Sequence, residues 1–220
     1  VDNILPEGAR HAPATLRNRD AIYAVLENIY AAPCGILEIA SGSGEHGAYF
    51  TQKQPGWRWQ PSDADPQALT SIEAWAAQPG VSINAPLHID VCAPSAQHAQ
   101  DSSSLYDHGF CANMIHIAPP EATDGLLKTI SLAIKTHGFF VLYGPFKMGG
   151  VHTAPSNEAF DQSLKSRDPS WGIRDLGDVV DLARRHQLIH VKTHPMPANN
   201  LCVCFRKTDR TPHGQQIAAL

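Results

Sequence analysis

Residues 35–47 read Gly-Ile-Leu-Glu-Ile-Ala-Ser-Gly-Ser-Gly-Glu-His-Gly, an apolar run that breaks into a glycine-rich turn and resumes as helix-forming sequence. The pattern predicts a strand–turn–helix unit, in which backbone N–H groups and a helix N-terminus face a bound ligand. Gly42 and Gly44 carry no side chain to block that approach. The same letters satisfy the GxGxxG pattern of dinucleotide-binding folds, a weak signal when it stands alone. Glu38 separates the two readings. In the dinucleotide pattern the strand stays apolar to its end and the helix meets a pyrophosphate, which a carboxylate four residues before Gly42 would repel. A cationic ligand is favoured at the same position.

Strand and helix patterns alternate along the chain, which implies a mostly parallel α/β sheet covered on both faces. Strands are expected over 36–40, 57–62, 87–91, 110–117 and 139–143, then a closing antiparallel pair over 188–194 and 201–206. Helices are expected over 14–30, 45–53, from Pro66 onward behind an Asp65 cap, 120–136 and 176–186. A polar segment, 144–173, interrupts the alternation as a long ordered loop, and 92–104 reads as an exposed connection. One domain is expected over 1–207, with a polar tail at 208–220.

Hydrophobic residues make up 43% of the 220, enough for a full core, and the formal charge of −4 leaves no basic surplus for nucleic acid. No apolar run approaches the ~20 residues that span a bilayer, and the first residues lack the pattern of a signal peptide. Five cysteines without CxxC spacing suit a reducing cytoplasm. Cys202 and Cys204, two apart on a strand, point to one face as small core residues. Twelve histidines include no HExxH, HxH or Cys/His cluster, so no metal is expected.

The glycine-rich unit resembles the cofactor loop of class I S-adenosylmethionine (SAM) methyltransferases, whose first motif runs acid-x-Gly/Ala-x-Gly-x-Gly. Glu38, Ala40, Gly42 and Gly44 fill it here, with Ser41 inside the turn. SAM carries a sulfonium and an ammonium, the charge that Glu38 favours. For this ligand the second strand should end in a carboxylate that accepts both ribose hydroxyls. Asp63 stands there, about 20 residues beyond Gly44, with Ala64 beside it. The resemblance makes Asp90 the acceptor for the adenine amino group, next to the Val91 backbone; a turn residue after a strand is the plain alternative. The closing antiparallel strands also resemble that family, giving a Rossmann-like sheet of seven strands with a C-terminal hairpin.

Over 9–207 the chain resembles the domain-of-unknown-function 938 family, also called methyltransferase-like 26. The blocks Arg17-Asn-Arg19, Trp59-Gln-Pro-Ser-Asp63, Asn113-Met-Ile-His-Ile-Ala-Pro119, His152-Thr-Ala-Pro-Ser-Asn157 and Met196-Pro-Ala-Asn-Asn200 carry the likeness. Departures fall at Pro120, at 93–99 and at Ala21-Ile-Tyr23, around the expected substrate mouth. The resemblance implies a SAM-dependent methyltransferase and little about its substrate; the negative net charge and the polar 144–173 segment over the site point to a small polar acceptor, methylated on oxygen or nitrogen. A SAM-binding regulatory or scaffolding protein without catalysis is the alternative, though the polar and aromatic content of 144–173 favours an enzyme.

Methyl transfer from a sulfonium is an in-line displacement that positioning and desolvation accelerate. A base is needed only where the nucleophile must lose a proton. His116, His152 and Asp161 are the candidate proton acceptors, with His116 first because it follows the fourth strand. Asn113 follows that strand's apolar start, where the resemblance places groups that flank the donor, and Arg19 is expected to meet a carboxylate of SAM or substrate. Asn18, Tyr143, His152, Asn157, Phe160, Arg167 and Trp171 are expected around the acceptor.

Overall fold

The computed structural model describes residues 6–93 and 106–209. Most of the expected connection at 92–104, and the tail from 210 on, lie outside the described residues. The first helix, α1 (Pro13–Leu26), begins with proline at its first turn and stops short of the expected residue 30. Strand β1 (Cys34–Ile39) follows, then α2 (Glu45–Lys53), with Gly44 in the left-handed conformation at its N-cap. A Cβ on Gly44 would lie 2.9 Å from the Ile72 backbone, so only glycine lets the cofactor-loop turn pack there.

The expected second strand is split. Strand β2 (Trp57–Gln60) and β3 (Ser62–Asp63) flank Pro61, whose missing N–H interrupts the ladder. Helix α3 (Pro66–Ala76) has the expected cap, with Asp65 accepting from the Gln67 N–H at 2.9 Å. The expected third strand shrinks to β4 (Leu87–His88), which pairs in parallel with β3 in a separate two-stranded sheet. Pro86 leaves only an isolated bridge, Trp59 to Ile83, upstream of that pair. The main sheet therefore has six strands rather than seven, with the short β3–β4 pair extending its edge.

Strand β5 (His108–Ala112) starts two residues early and ends at Asn113, whose φ of +62° turns the chain into a single 3-10 turn over Met114–His116. Strand was expected as far as 117, so this correction matters for the site. Helix α4 (Glu121–Ala133) and strand β6 (Phe139–Pro145) come next. The expected loop at 144–173 instead holds a small hairpin, β7 (Lys147–Met148) and β8 (Val151–His152), and a helix, α5 (Pro155–Arg167). Helix α6 (Leu176–Arg185) and strands β9 (Leu188–Met196) and β10 (Asn200–Lys207) close the fold.

The sheet order is β2-β1-β5-β6-β10-β9, parallel through β6, with β10 antiparallel to both β6 and β9. Period-two alternation divides its side chains between two cores. Leu37, Cys111 and Leu142 face α4 and α6, whereas Ile36, Phe110 and Val141 face α1, α2 and α3. Cys202 and Cys204 join the second core, as the two-residue spacing predicts. Strand order reverses at β1, and in open α/β sheets ligands bind beyond the strand ends at such a switch point.

Candidate active site

Two cavities open at the carboxyl ends of the parallel strands. The smaller, about 280 Å³, lies between the β1 turn, the β3 end and the segment after β4. Ala40, Gly42, Asp63, Ala64, Asp90 and Val91 line it. Its remaining walls are apolar, and among the described residues Asp63 and Asp90 are its only charged ones. Asp63 is fixed by two backbone donors, Gly42 N–H to Oδ2 at 2.8 Å and Asp65 N–H to Oδ1 at 2.9 Å. Asp90 Oδ1 accepts from the Cys92 N–H at 2.9 Å, which holds the turn after β4.

Glu38, Ser41 and Gly44 stand behind this cavity rather than on it. Glu38 is buried, and its Oε2 accepts from Trp59 Nε1 at 2.8 Å. Burial pushes its carboxyl up to about 7, against the Trp59 and Ser41 hydrogen bonds that favour the charged form. The acid of the first motif therefore acts from beneath the loop and does not face the ligand. Ser41 ties the loop to β3, accepting the Ser62 N–H on Oγ at 3.1 Å and donating its own N–H to the Ser62 carbonyl at 2.8 Å.

The larger cavity, about 570 Å³, is walled by α1, the ends of β5 and β6, α5 and the turn between β9 and β10. Asn18, Asn113, Tyr143, Asn157, Phe160 and Arg167, all expected from sequence, line it. Ile117 borders both cavities and forms a shared partition. Tyr143 shares this wall with Asn18, and burial raises its pKa while the Asn18 amide opposes the rise. Asn18 is itself set by His46, whose Nε2 lies 2.9 Å from Asn18 Oδ1. Burial lowers the His46 pKa to about 4, so the neutral ring donates to the amide oxygen and leaves the amide N–H groups for Tyr143 and the cavity.

Five residues expected at the site do not fit. His116 belongs to the 3-10 turn and is fully buried, off both cavities. Its Nδ1 accepts the Arg174 N–H at 3.4 Å, its ring stands edge-on to Phe146, and its Nε2 has no partner. A Cβ on Gly144 would lie 2.5 Å from that nitrogen, so the bare glycine is what admits the ring. Burial first, then Arg174, lowers the His116 pKa to about 3, so it cannot hold a proton taken from a substrate near neutral pH. Asp161 is also no base. Its carboxylate meets Lys165 at 2.6 Å, the Ile173 N–H at 2.7 Å, and Lys147 and His152 each at 3.3 Å. These partners outweigh desolvation and hold it down at about 2.

His152 is the third correction: it pairs with Asp161 and does not reach the cavity. Trp171 likewise stands behind, with the Arg167 guanidinium 5.5 Å from its ring centre. Arg19, expected at the cofactor, instead pairs with Glu45 at 3.4 Å and covers the Tyr49 ring at 4.3 Å on another face. Sequence reasoning missed Arg17, Ser156, Ala198 and Asn200, which complete the larger cavity. Arg17 and Asn200 both fall in the blocks quoted above, so a signal existed. Which face they present was the missing information.

A family model described as "Protein of unknown function (DUF938)" matches residues 9–207. Among solved structures, an O-methyltransferase family 2 protein from Planctomyces limnophilus, in complex with apigenin, is similar at 19% identity and a TM-score of 0.72. The match covers 89% of this chain and 58% of that one. The mitomycin 7-O-methyltransferase MmcR gives 16% and 0.72, over 89% and 54%. This chain thus spans little more than half the length of either. A putative sarcosine dimethylglycine methyltransferase from Galdieria sulphuraria gives 14% and 0.65, over 89% of this chain and 87% of that one. At these identities the likeness is one of fold, and that fold is the Rossmann-like one of class I methyltransferases. Among the described residues no helix is long and apolar enough to cross a membrane.

Proposed function

The chain belongs to the DUF938 family, and from that premise we propose that it is a SAM-dependent methyltransferase acting on a small polar acceptor. The observation that carries this reading is the charge of the smaller cavity: among the described residues, two carboxylates and no cation around an otherwise apolar slot. A dinucleotide's pyrophosphate would be repelled there, whereas a nucleoside diol and a purine without phosphate suit it. The residues present would hold the nucleoside end of SAM. A Cβ on Gly42 would meet nothing within 4 Å, so the turn stands open over the slot. Asp63 would accept from the ribose hydroxyls and Asp90 from the adenine amino group. The finer likeness to methyltransferase-like 26 proteins fits the same reading, and five cysteines without a disulfide fit a cytoplasmic site of action.

When bound, SAM supplies a methyl group on a cationic sulfur, open to in-line displacement. The chain's own part is to position the acceptor and keep water away. Asn113 and Ile117 stand where the two cavities adjoin, and Asn18 with Tyr143 would orient polar groups of the acceptor. The described residues lining the larger cavity include no histidine, carboxylate or lysine, so this mechanism uses no protein base. Rate would come from proximity and desolvation, and the acceptor's nucleophile must already carry a free lone pair.

Calorimetry with S-adenosylhomocysteine tests the cofactor. We expect binding that Asp63→Ala weakens by ~1.5–3 kcal/mol, the worth of charge-assisted hydrogen bonds. Asp63→Asn, which keeps an acceptor for the Gly42 N–H, should retain the loop but lose part of that affinity. Binding of NADH in place of S-adenosylhomocysteine would overturn the assignment.

A further inference from the structure

The two adjoining cavities have opposite charge. Among the described residues the smaller is lined by two carboxylates and no cation, the larger by two arginines and no carboxylate. We propose that the larger cavity takes a small organic anion, a carboxylate or a phosphate monoester, gripped by Arg17 from α1 and Arg167 from the end of α5. The proposal rests on the reading of this cavity as the acceptor site, and it narrows the acceptor's class.

Neither arginine has a carboxylate within ion-pair distance among the described residues, although three other arginines do. Arg167 is nonetheless held in place. Its Nε donates to the Ser163 carbonyl at 3.3 Å and its guanidinium lies against Trp171, which leaves the terminal nitrogens for a ligand. That fork matches a carboxylate or phosphate in geometry as well as charge. The α5 helix is fixed in turn by Asn157, whose Nδ2 donates to the Asn199 carbonyl at 3.0 Å, across to the β9–β10 turn. Both arginines are exposed, so water screens them in the open cavity, and an anionic acceptor that displaces this water would be paired by them. An anion also needs no base if its own oxygen is the nucleophile, or if it anchors a neutral amine elsewhere on the molecule. Both fit the absence of a proton acceptor in the wall.

Three matched probes test this: benzoate, phenyl phosphate and neutral benzamide. Each is titrated by calorimetry into the wild-type protein and into Arg17→Gln, Arg167→Gln and Arg167→Lys, with S-adenosylhomocysteine titrated in parallel. At least one anion should bind about tenfold or more tightly than benzamide, as charge-assisted pairs require. That preference should largely vanish in the glutamine variants and partly survive in Arg167→Lys, and the stronger of the two anions identifies the group. S-adenosylhomocysteine affinity should stay within about twofold of wild type, since its site lies across the partition. Anions that bind no better than benzamide, or whose preference survives both glutamine variants, would overturn the proposal. So would variants that lose S-adenosylhomocysteine and keep the anion preference, because the arginines would then serve the cofactor's own carboxylate. An intact, arginine-dependent anion preference in a protein that never binds S-adenosylhomocysteine would uphold the anion site and sink the methyltransferase reading instead.

Discussion

Glu38 shows how one residue's role changes once its surroundings are known. Its motif position suggests a carboxylate aimed at a cationic ligand, yet the side chain is buried against Trp59 and its pKa is raised from 4.5 to about 7. The folded protein therefore binds more protons here than the unfolded chain between those values, and stability falls as pH rises through that window. Above it the ionised carboxylate costs on the order of 3 kcal/mol, at about 1.4 kcal/mol per pKa unit. Glu38→Gln keeps an acceptor for Trp59 Nε1 and removes the charge. Urea unfolding should show the variant more stable than wild type at pH 8 and little different at pH 4. An equal shift at both values would mean that Glu38 is not held protonated.

At the scale of elements, α5 is the instructive case. Its buried residues are Asn157, Asp161 and Leu164, at helical spacing but with two polar members, so apolar periodicity cannot reveal it. Tertiary partners satisfy those groups: the β9–β10 turn for Asn157, and the β7–β8 hairpin with the Ile173 N–H for Asp161. Asp161 is a clamp that fixes the wall carrying Phe160 and Arg167. Asp161→Ala orphans the buried Ile173 N–H, and such a donor costs about 1–3 kcal/mol. Thermal unfolding should fall accordingly, and amide exchange across 155–173 should quicken while that of β1 and β5 stays unchanged. If exchange in this segment stays at the wild-type rate, the clamp assignment fails.

Across the whole molecule, buried titratable groups set the response to pH. Burial lowers His46 and His108 to about 4 and His116 to about 3, from 6.5. Below pH 6.5 the unfolded chain takes up protons that these rings refuse, so stability falls with acidification. Glu38 works the other way over part of the range, but three groups outnumber one. The urea midpoint should therefore drop between pH 7 and pH 5, and a flat or rising midpoint would contradict the burial of these rings. Much of this architecture was legible in local sequence. The Gly42–Gly44 turn, the Asp65 cap and the alternating strands follow from backbone preferences and short-range periodicity, which neighbours alone decide. Asp63 and Asp90 were legible too, because a strand end points its residue toward the ligand side of the sheet. Contacts remote in sequence decided the rest. Arg17 and Arg19 are about 200° apart around α1, and packing against α2 turns one toward Glu45 and leaves the other at the cavity. His116 was lost to the site by the left-handed turn at Asn113, which sends the chain under Gly144 instead of onward as strand. Sequence by itself determined the sheet and the edge at which the two cavities open. Only the tertiary structure decided which side chains face those cavities, because facing depends on turns and helix rotations fixed by distant packing.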